Sequence, residues 1–154
     1  MTEIITLDVI RTYYDKEKTK LKEEYFIHNN KREGIYKEYY YDGQLWEEVN
    51  YKNGERHGEY KSYWDNEQLA SEENYNNGKR NGICKSYWWN GQLYEEVNYI
   101  DGKIVDGIYK SYHENGQLWE EVNYINDLMQ GNYKLYYENG QLDVEVNYID
   151  GKKV

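Results

Sequence analysis

The sequence predicts an all-β repeat protein, an elongated and twisted antiparallel meander of stacked β-hairpins. Three observations predict this fold. The segment GQLWEEVNY at 43–51 returns unchanged at 116–124, turn signals recur at a fixed interval, and no segment has the hydrophobic period of about 3.6 residues that marks a helix. Aliphatic residues are scarce, and 21 Tyr and 5 Trp replace them as the source of apolar area.

Five full repeats can be counted from the glycine that opens the pattern GxYKxY. Their predicted bounds are 34–57, 58–81, 82–106, 107–130 and 131–154, after a degenerate repeat or cap in residues 1–33. We expect these repeats to form one continuous domain. The third repeat has an extra residue in DGKIVDG at 101–107, and we expect a bulge there.

Each repeat contains two turn signals, mostly Asn-Gly or Asp-Gly. The first set lies at 42–43, 66–67, 90–91, 115–116 and 139–140, and the second at 53–54, 77–78, 101–102, 126–127 and 150–151. Such dipeptides favour two-residue hairpin turns in which both residues have positive φ. Glu67 and Asp127 depart from the pattern, so we expect strain or another turn type there. Roughly twelve short strands follow from this spacing.

A two-residue turn also determines which residues face each other across a hairpin. Counting outward from Asn115-Gly116 places Lys110 opposite Glu121, and the same count gives Lys opposite Glu in every full repeat. The predicted cross-strand pairs are Lys37–Glu48, Lys61–Glu72, Lys85–Glu96, Lys110–Glu121 and Lys134–Glu145. We call this side the Lys–Glu face and expect it to be partly solvated.

The same count places an aromatic residue of one strand opposite a second residue on the Lys–Glu face. These predicted pairs are Tyr39–Trp46, Tyr63–Ala70, Tyr87–Tyr94, Tyr112–Trp119 and Tyr136–Asp143. The other side, which we call the tyrosine face, carries Tyr36, Tyr40, Leu45, Val49 and Tyr51 in the first full repeat. It is the more apolar side, and we expect it to be the more buried.

The pattern G-x-Y-K-x-Y-x-x-N-G-Q-L-x-x-E-x-x-Y-x-x-G-K resembles the variant MORN repeat found in many bacterial proteins. The resemblance covers residues 34–154 and, weakly, 8–33. It implies an elongated sheet of stacked hairpins with a binding or scaffolding role, usually toward other proteins. It also implies a possible antitoxin-like role, since bacterial chains of this kind often carry that label. Phospholipid binding, credited to some members, fits poorly because this chain is strongly acidic.

No catalytic, metal or cofactor site is expected, and we interpret the protein as non-enzymatic. His28, His57 and His113 fall at three different places in the repeat, and Cys84 replaces a tyrosine, so all four suggest packing or surface roles. The Glu-Glu dipeptides point to opposite faces of a strand and cannot form a two-carboxylate site. Motifs for phosphate, dinucleotide or zinc binding do not occur.

The charge and the aromatic content together favour a protein partner. A net charge of −10 and a pI near 4.8 argue against nucleic acid and anionic lipid and favour a basic protein. We expect a cytoplasmic protein, since the sequence starts without a signal-peptide pattern and has a single cysteine.

The predicted contact residues are Tyr39, Trp46, Tyr63, Tyr87, Tyr94, Tyr112 and Trp119, with Glu47, Glu95 and Glu120 adding charge from the other face. Membrane association, sugar stacking on the aromatic rows and a self-assembling scaffold remain open as alternatives. Edge strands could also pair with a partner strand or with a second copy of the chain.

Overall fold

A computed structural model describes residues 6–154, and the chain divides into two compact units, Met1–Lys79 and Arg80–Val154. Unit 1 contains β1 (Asp8–Tyr13), β2 (Leu21–His28), β3 (Lys31–Arg32), β4 (Gly34–Tyr39), β5 (Leu45–Lys52), β6 (Glu55–Tyr63) and β7 (Leu69–Asn76). The short strand β8 (Lys79–Arg80) falls at the division. Unit 2 contains β9 (Gly82–Tyr87), β10 (Leu93–Ile100), β11 (Lys103–Ile104), β12 (Gly107–Tyr112), β13 (Leu118–Ile125), β14 (Leu128–Met129), β15 (Gly131–Tyr136), β16 (Leu142–Ile149) and β17 (Lys152–Lys153).

Within each unit, antiparallel strands that follow one another in sequence pair as hairpins. No helix occurs in residues 6–154, so the predicted all-β meander of hairpins is confirmed. There are 17 strands in these residues rather than roughly twelve. The difference arises because the strand that follows most second turns is divided by a short break into two strands. The break before β4 falls at Glu33, next to Gly34, whose φ of 80° leaves the extended region.

The second turn of each repeat has the predicted conformation. Asn53 and Gly54 have φ of 54° and 87°, as a two-residue hairpin turn of type I′ requires. The first turns differ, because only the glycine has positive φ. In the turn at Gly43, with φ of 95°, the N–H of Tyr40 donates to the carbonyl of Gln44 at 2.8 Å. Three residues are therefore enclosed, and the expectation of a two-residue loop was wrong for these turns.

An aspartate or asparagine precedes that glycine for a reason that the Asn-Gly signal did not suggest. Asn115 Oδ1 accepts the backbone N–H of Gln117 at 2.9 Å, and Asp42 Oδ1 accepts that of Gln44 at 3.1 Å. These side chains stabilise the turn without adopting positive φ themselves. Glu67 and Asp127, by contrast, both lie in the left-handed region, with φ of 64° and 63°, which is costly for a residue with a side chain.

A bulge after each first turn corrects the register. In the hairpin β12–β13, Tyr112 lies opposite Leu118 and Ser111 lies opposite Glu120, which leaves Trp119 as an extra residue. The three-residue loop shifts the pairing by one residue, and the bulge shifts it back. Lys110 therefore lies opposite Glu121, where the sequence placed it. The same bulge occurs in the hairpins β4–β5, β6–β7, β9–β10 and β15–β16.

The extra residue of the third repeat lengthens a break in the sheet ladder that other repeats also have. Strand β10 pairs with β11 at Tyr99–Ile104 and resumes with β12 at Glu96–Lys110. In the next repeat the corresponding pairs are Tyr124–Met129 and Glu121–Lys134, so one residue fewer is skipped. The added residue is thus absorbed beside Gly107, where the sheet is already irregular.

The core lies on the tyrosine face, as the sequence predicted. Val49 is completely buried and lies in register between Tyr36 and Tyr60 of the neighbouring strands. The buried apolar side chains of the described residues all belong to this face and are Tyr36, Val49, Cys84, Val97 and Val122. Tyrosine rings on adjacent strands thus cover small valines, and they supply a core that the few aliphatic side chains could not form alone.

Candidate functional site

The Lys–Glu face has the predicted register in every full repeat. Lys37, Lys61, Lys85, Lys110 and Lys134 lie opposite Glu48, Glu72, Glu96, Glu121 and Glu145, respectively. The Nζ–Oε distances are 2.8 Å for Lys37–Glu48 and 3.2 Å for Lys110–Glu121. Arg11 and Glu24 form the equivalent ion pair in the degenerate repeat. The side chains are partly exposed, so each pair contributes at most about 1 kcal/mol.

The predicted aromatic pairs on this face are wrong, because the bulge displaces one partner. Tyr39 lies opposite Leu45 rather than Trp46, and Leu45 therefore belongs to the Lys–Glu face. The same shift removes the pairs Tyr63–Ala70, Tyr87–Tyr94, Tyr112–Trp119 and Tyr136–Asp143. Trp46 instead contacts Tyr40, with ring centroids 6.2 Å apart, and lies on the tyrosine face.

The seven predicted contact residues are consequently divided between two faces. Tyr39, Tyr63, Tyr87 and Tyr112 remain on the Lys–Glu face and are half-buried. Trp46, Tyr94 and Trp119 lie on the tyrosine face beside the glutamates that were expected to add charge, Glu47, Glu95 and Glu120. Aromatic and acidic groups are thus on one side, although the sequence placed them on opposite sides.

An aromatic cluster occupies this face of unit 2. Tyr94 packs edge-on against Trp88 at 4.9 Å between centroids, and it meets Trp119 at 6.0 Å. His113 lies 5.9 Å from Trp119. Trp119 is 36 % exposed and Trp46, at the same place in unit 1, is 42 % exposed. Large aromatic surface beside carboxylates is accessible in both units.

Some of these aromatic side chains also tie one repeat to the next. Tyr40 Oη donates to the carbonyl of Tyr63 at 2.8 Å, and Trp88 Nε1 donates to that of Tyr112 at 2.8 Å. His113 Nε2 lies 2.7 Å from the carbonyl of Tyr136. A carbonyl can only accept, so this nitrogen carries the proton. His113 therefore has a defined packing role, with one hydrogen bond to the next repeat and a ring contact with Trp119.

Tyrosine hydroxyls on the tyrosine face donate to glutamates of the same strand or of a neighbouring strand. Tyr36 Oη lies 2.7 Å from Glu38 and 3.0 Å from Glu23, and Tyr60 Oη lies 3.2 Å from Glu47. Tyr109 forms the same bond to Glu95. These bonds stabilise the neutral phenol next to a carboxylate.

Burial and the same carboxylates raise the pKa values of several tyrosines on this face. Burial, followed by the hydrogen bonds to Glu38 and Glu23, raises the pKa of Tyr36. Burial and the bond to Glu95 raise the pKa of Tyr109. Burial and a hydrogen bond to Glu120 raise the pKa of Tyr133 to about 12. These phenols stay protonated well into the alkaline range.

Three arginines of this face were missed by the sequence reasoning, and one of them, Arg80, has its Cζ 5.4 Å from the ring centroid of Tyr99. Arg32 Cζ lies 4.7, 4.6 and 5.3 Å from the ring centroids of Tyr25, Tyr36 and Tyr51. Arg56 lies 5.1 and 5.4 Å from those of Tyr60 and Tyr75. The available signal was the arginine two residues after the second turn of successive repeats. The sequence reasoning assigned these arginines no role, since the face that they occupy depends on tertiary register.

Comparison with known families identifies the repeat. The model of the MORN repeat variant matches residues 32–53, 56–77, 80–101, 105–126 and 129–150, more than half of the chain. The chain belongs to the MORN-repeat family. A comparison with curated proteins gives no significant match. MORN repeats generally serve as modules that interact with proteins or membranes.

Residues 6–154 contain no helix long and apolar enough to cross a membrane. The same residues contain no group of three or more His, Cys, Asp or Glu side chains arranged to hold a metal ion. Cys84 is buried opposite Val97, at the place where Tyr36 is opposite Val49 in an earlier repeat.

Proposed function

We propose that this MORN-repeat protein is a non-enzymatic cytoplasmic module that binds a basic protein partner through its tyrosine face. The observation that carries the proposal is the position of Trp46 and Trp119. Each is an exposed tryptophan beside a glutamate of the same face, Glu47 or Glu120. Exposed tryptophans are typical interface anchors, and the net charge of −10 would steer a basic partner toward them.

The corrected register changes which residues should make contact. Trp46, Tyr94 and Trp119 are retained as contact residues, whereas Tyr39, Tyr63, Tyr87 and Tyr112 lie with the lysines on the other side. An antitoxin-like role, in which the acidic face masks a basic toxin, is one concrete form of the proposal. It is supported by family analogy alone.

The test is affinity capture from a lysate of the source cells with wild-type protein and with the double variant Trp46→Ala, Trp119→Ala. Wild type should retain a basic protein, and the double variant should lose it. A matched control is Ile35→Ser with Ile108→Ser, since both isoleucines are exposed on the Lys–Glu face. This control should capture as well as wild type.

Other outcomes would contradict the proposal in distinguishable ways. Loss of capture only in the isoleucine variant would assign binding to the Lys–Glu face. Co-sedimentation with anionic vesicles, tryptophan fluorescence changes with glycans, or self-association without capture of a basic protein would each favour one of the alternative classes.

A further inference from the structure

One position of the repeat carries arginine at Arg32, Arg56 and Arg80 and lysine at Lys153, but an apolar residue at two places in unit 2. Arg56 lies directly opposite Tyr51 in the short ladder after the second turn. The same register places Ile104 opposite Tyr99 and Met129 opposite Tyr124. Ile104 and Met129 are half-buried. The position that holds a guanidinium in unit 1 therefore holds none at these two places.

The arginines of unit 1 bind both rings and oxygens. Arg32 Nη1 donates to Tyr51 Oη at 3.2 Å, and its Nη2 lies 3.9 Å from Glu23 Oε2. Arg56 Nη1 donates to Tyr75 Oη at 3.3 Å. A planar guanidinium can stack on tyrosine and donate at its edge at the same time, which an ammonium group cannot do as well.

Unit 2 retains the other components of this site. The rings of Tyr109 and Tyr124 are 6.3 Å apart at 86°. The equivalent rings of unit 1, Tyr60 and Tyr75, are 6.3 Å apart at 73°. Glu95 takes the place of Glu47 and accepts the hydroxyl of Tyr109 as Glu47 accepts that of Tyr60. The aromatic walls and the carboxylate are thus present without the cation.

Two carboxylates on the tyrosine face of unit 2, Glu95 and Glu120, differ in their ion pairing from the glutamates of the Lys–Glu face. Within residues 6–154, neither Glu95 nor Glu120 forms an ion pair with a lysine or arginine, whereas Glu23 has Arg32. The pKa of Tyr60 is raised chiefly by burial, and the charge of Arg56 acts to lower it. For Tyr109, burial and the charges of Glu95 and Glu120 all act to raise the pKa. The site around Tyr109 therefore has uncompensated negative charge.

An unpartnered buried hydroxyl lies in the same site. Ser111 is completely buried, and its Oγ has no hydrogen-bond partner. In register it lies between Glu95 on one neighbouring strand and Glu120 on the other. The equivalent hydroxyls do have partners, because Ser62 Oγ lies 2.8 Å from Ser71 Oγ and Ser86 Oγ donates to Glu95 at 3.0 Å. An unsatisfied buried polar group suggests an incomplete site.

We propose that the tyrosine face of unit 2 binds an arginine side chain of the partner protein, with the guanidinium over Tyr109 and Tyr124 and close to Glu95. The inference rests on the proposed function and specifies its contact chemistry. The partner's guanidinium takes the place that the guanidinium of Arg56 occupies in unit 1, beside Ile104, which stands at the position of Arg56 in the strand register. Arginine is favoured over lysine because Arg32 and Arg56 each use a guanidinium to reach rings and a hydroxyl together.

The direct test uses the full chain with labelled tyrosine rings, titrated by NMR with N-acetylarginine methylamide. Saturable shifts are expected for Tyr109 and Tyr124, and the isosteric, uncharged citrulline compound should leave them unchanged. The substitution Ile104→Arg should fill the site from within and weaken binding at least tenfold. Ile108→Arg adds the same charge on the Lys–Glu face and should not weaken binding.

A second measurement covers the case in which the Ile104→Arg variant does not fold. Glu95→Gln should then weaken binding of the arginine compound, whereas Glu96→Gln on the other face should not. Equal shifts with citrulline, or undiminished binding to both Ile104→Arg and Glu95→Gln, would overturn the inference. If the Ile104→Arg variant still captures a basic protein as well as wild type, the arginine site is wrong and the proposed function stands. If the protein binds the arginine compound but captures no basic protein, the arginine site stands and the proposed function is wrong.

Discussion

At the scale of single residues, the tyrosine face depends on neutral phenols held beside carboxylates. Tyr133 is one example, because burial and the bond to Glu120 raise its pKa to about 12. A phenol in an unfolded chain titrates near 10. The folded state therefore keeps a proton that the unfolded state loses, and stability falls as pH rises through this window.

We predict an alkaline loss of stability that Tyr133→Phe reduces. The free energy of unfolding of wild type should fall between about pH 10 and 12, and the variant should fall less steeply because it has no proton to lose at this position. Urea unfolding at several pH values measures both curves. Between pH 7 and 9 the two curves should run parallel, and equal slopes above pH 10 would contradict the assignment to Tyr133.

Single residues also show where sequence reasoning ended. The Lys–Glu pairs could be predicted because they need only local register. The contacts of Arg32 and Arg56 could not, since the three rings below Arg32 come from three different strands and nothing in the sequence brings them together. The equivalence of Ile104 and Arg56 on the tyrosine face likewise depends on the strand register.

At the scale of the element, each hairpin combines a three-residue loop with a bulge. The sequence predicted the hairpins correctly but gave the loop the wrong length. The register of Lys110 and Glu121 was still correct, because the bulge at Trp119 offsets the loop. The face of Trp46 and Trp119 was wrong for the same reason, since nothing in an aromatic side chain marks it as the extra residue of a bulge.

We predict that Glu67→Gly stabilises the protein by about 1 kcal/mol, because a side chain at left-handed φ costs roughly that amount. Glu67, with φ of 64°, occupies the place of Gly43, Gly91, Gly116 and Gly140 in the other first turns. Thermal and urea unfolding provide the measurement. The neighbour Asn66 is a matched control, since Asn66→Gly removes the bond from Gln68 N–H to Asn66 Oδ1 at 3.0 Å and should destabilise. An unchanged or lowered stability in Glu67→Gly would show that this turn is not strained.

At the scale of the whole molecule, two electrostatic effects on stability have opposite signs. The net charge of −10 destabilises the folded chain, whereas the five Lys–Glu pairs stabilise it. The pairs are partly exposed and each is weak, whereas the excess negative side chains repel one another throughout the chain. Screening by salt weakens both effects. The sign of the salt dependence therefore shows which one is larger.

We predict that raising NaCl from 0.05 to 0.5 M at neutral pH increases the melting temperature by a few degrees. Relief of self-repulsion should exceed the loss of the exposed ion pairs. Differential scanning calorimetry gives the measurement, and a non-ionic osmolyte of equal osmolality is the control. A fall in melting temperature with salt would mean that the Lys–Glu rows contribute more than their exposure suggests.

The aromatic ties between repeats have a consequence for how such a chain can change its length. Tyr40 reaches the carbonyl of Tyr63, and His113 reaches that of Tyr136, so each donor serves the segment that comes after it. A duplicated stretch of coding sequence would import its own donor together with an acceptor for the stretch upstream. Duplication of a repeat therefore leaves every donor with an acceptor. The unchanged recurrence of GQLWEEVNY is the sequence pattern that such duplication would produce.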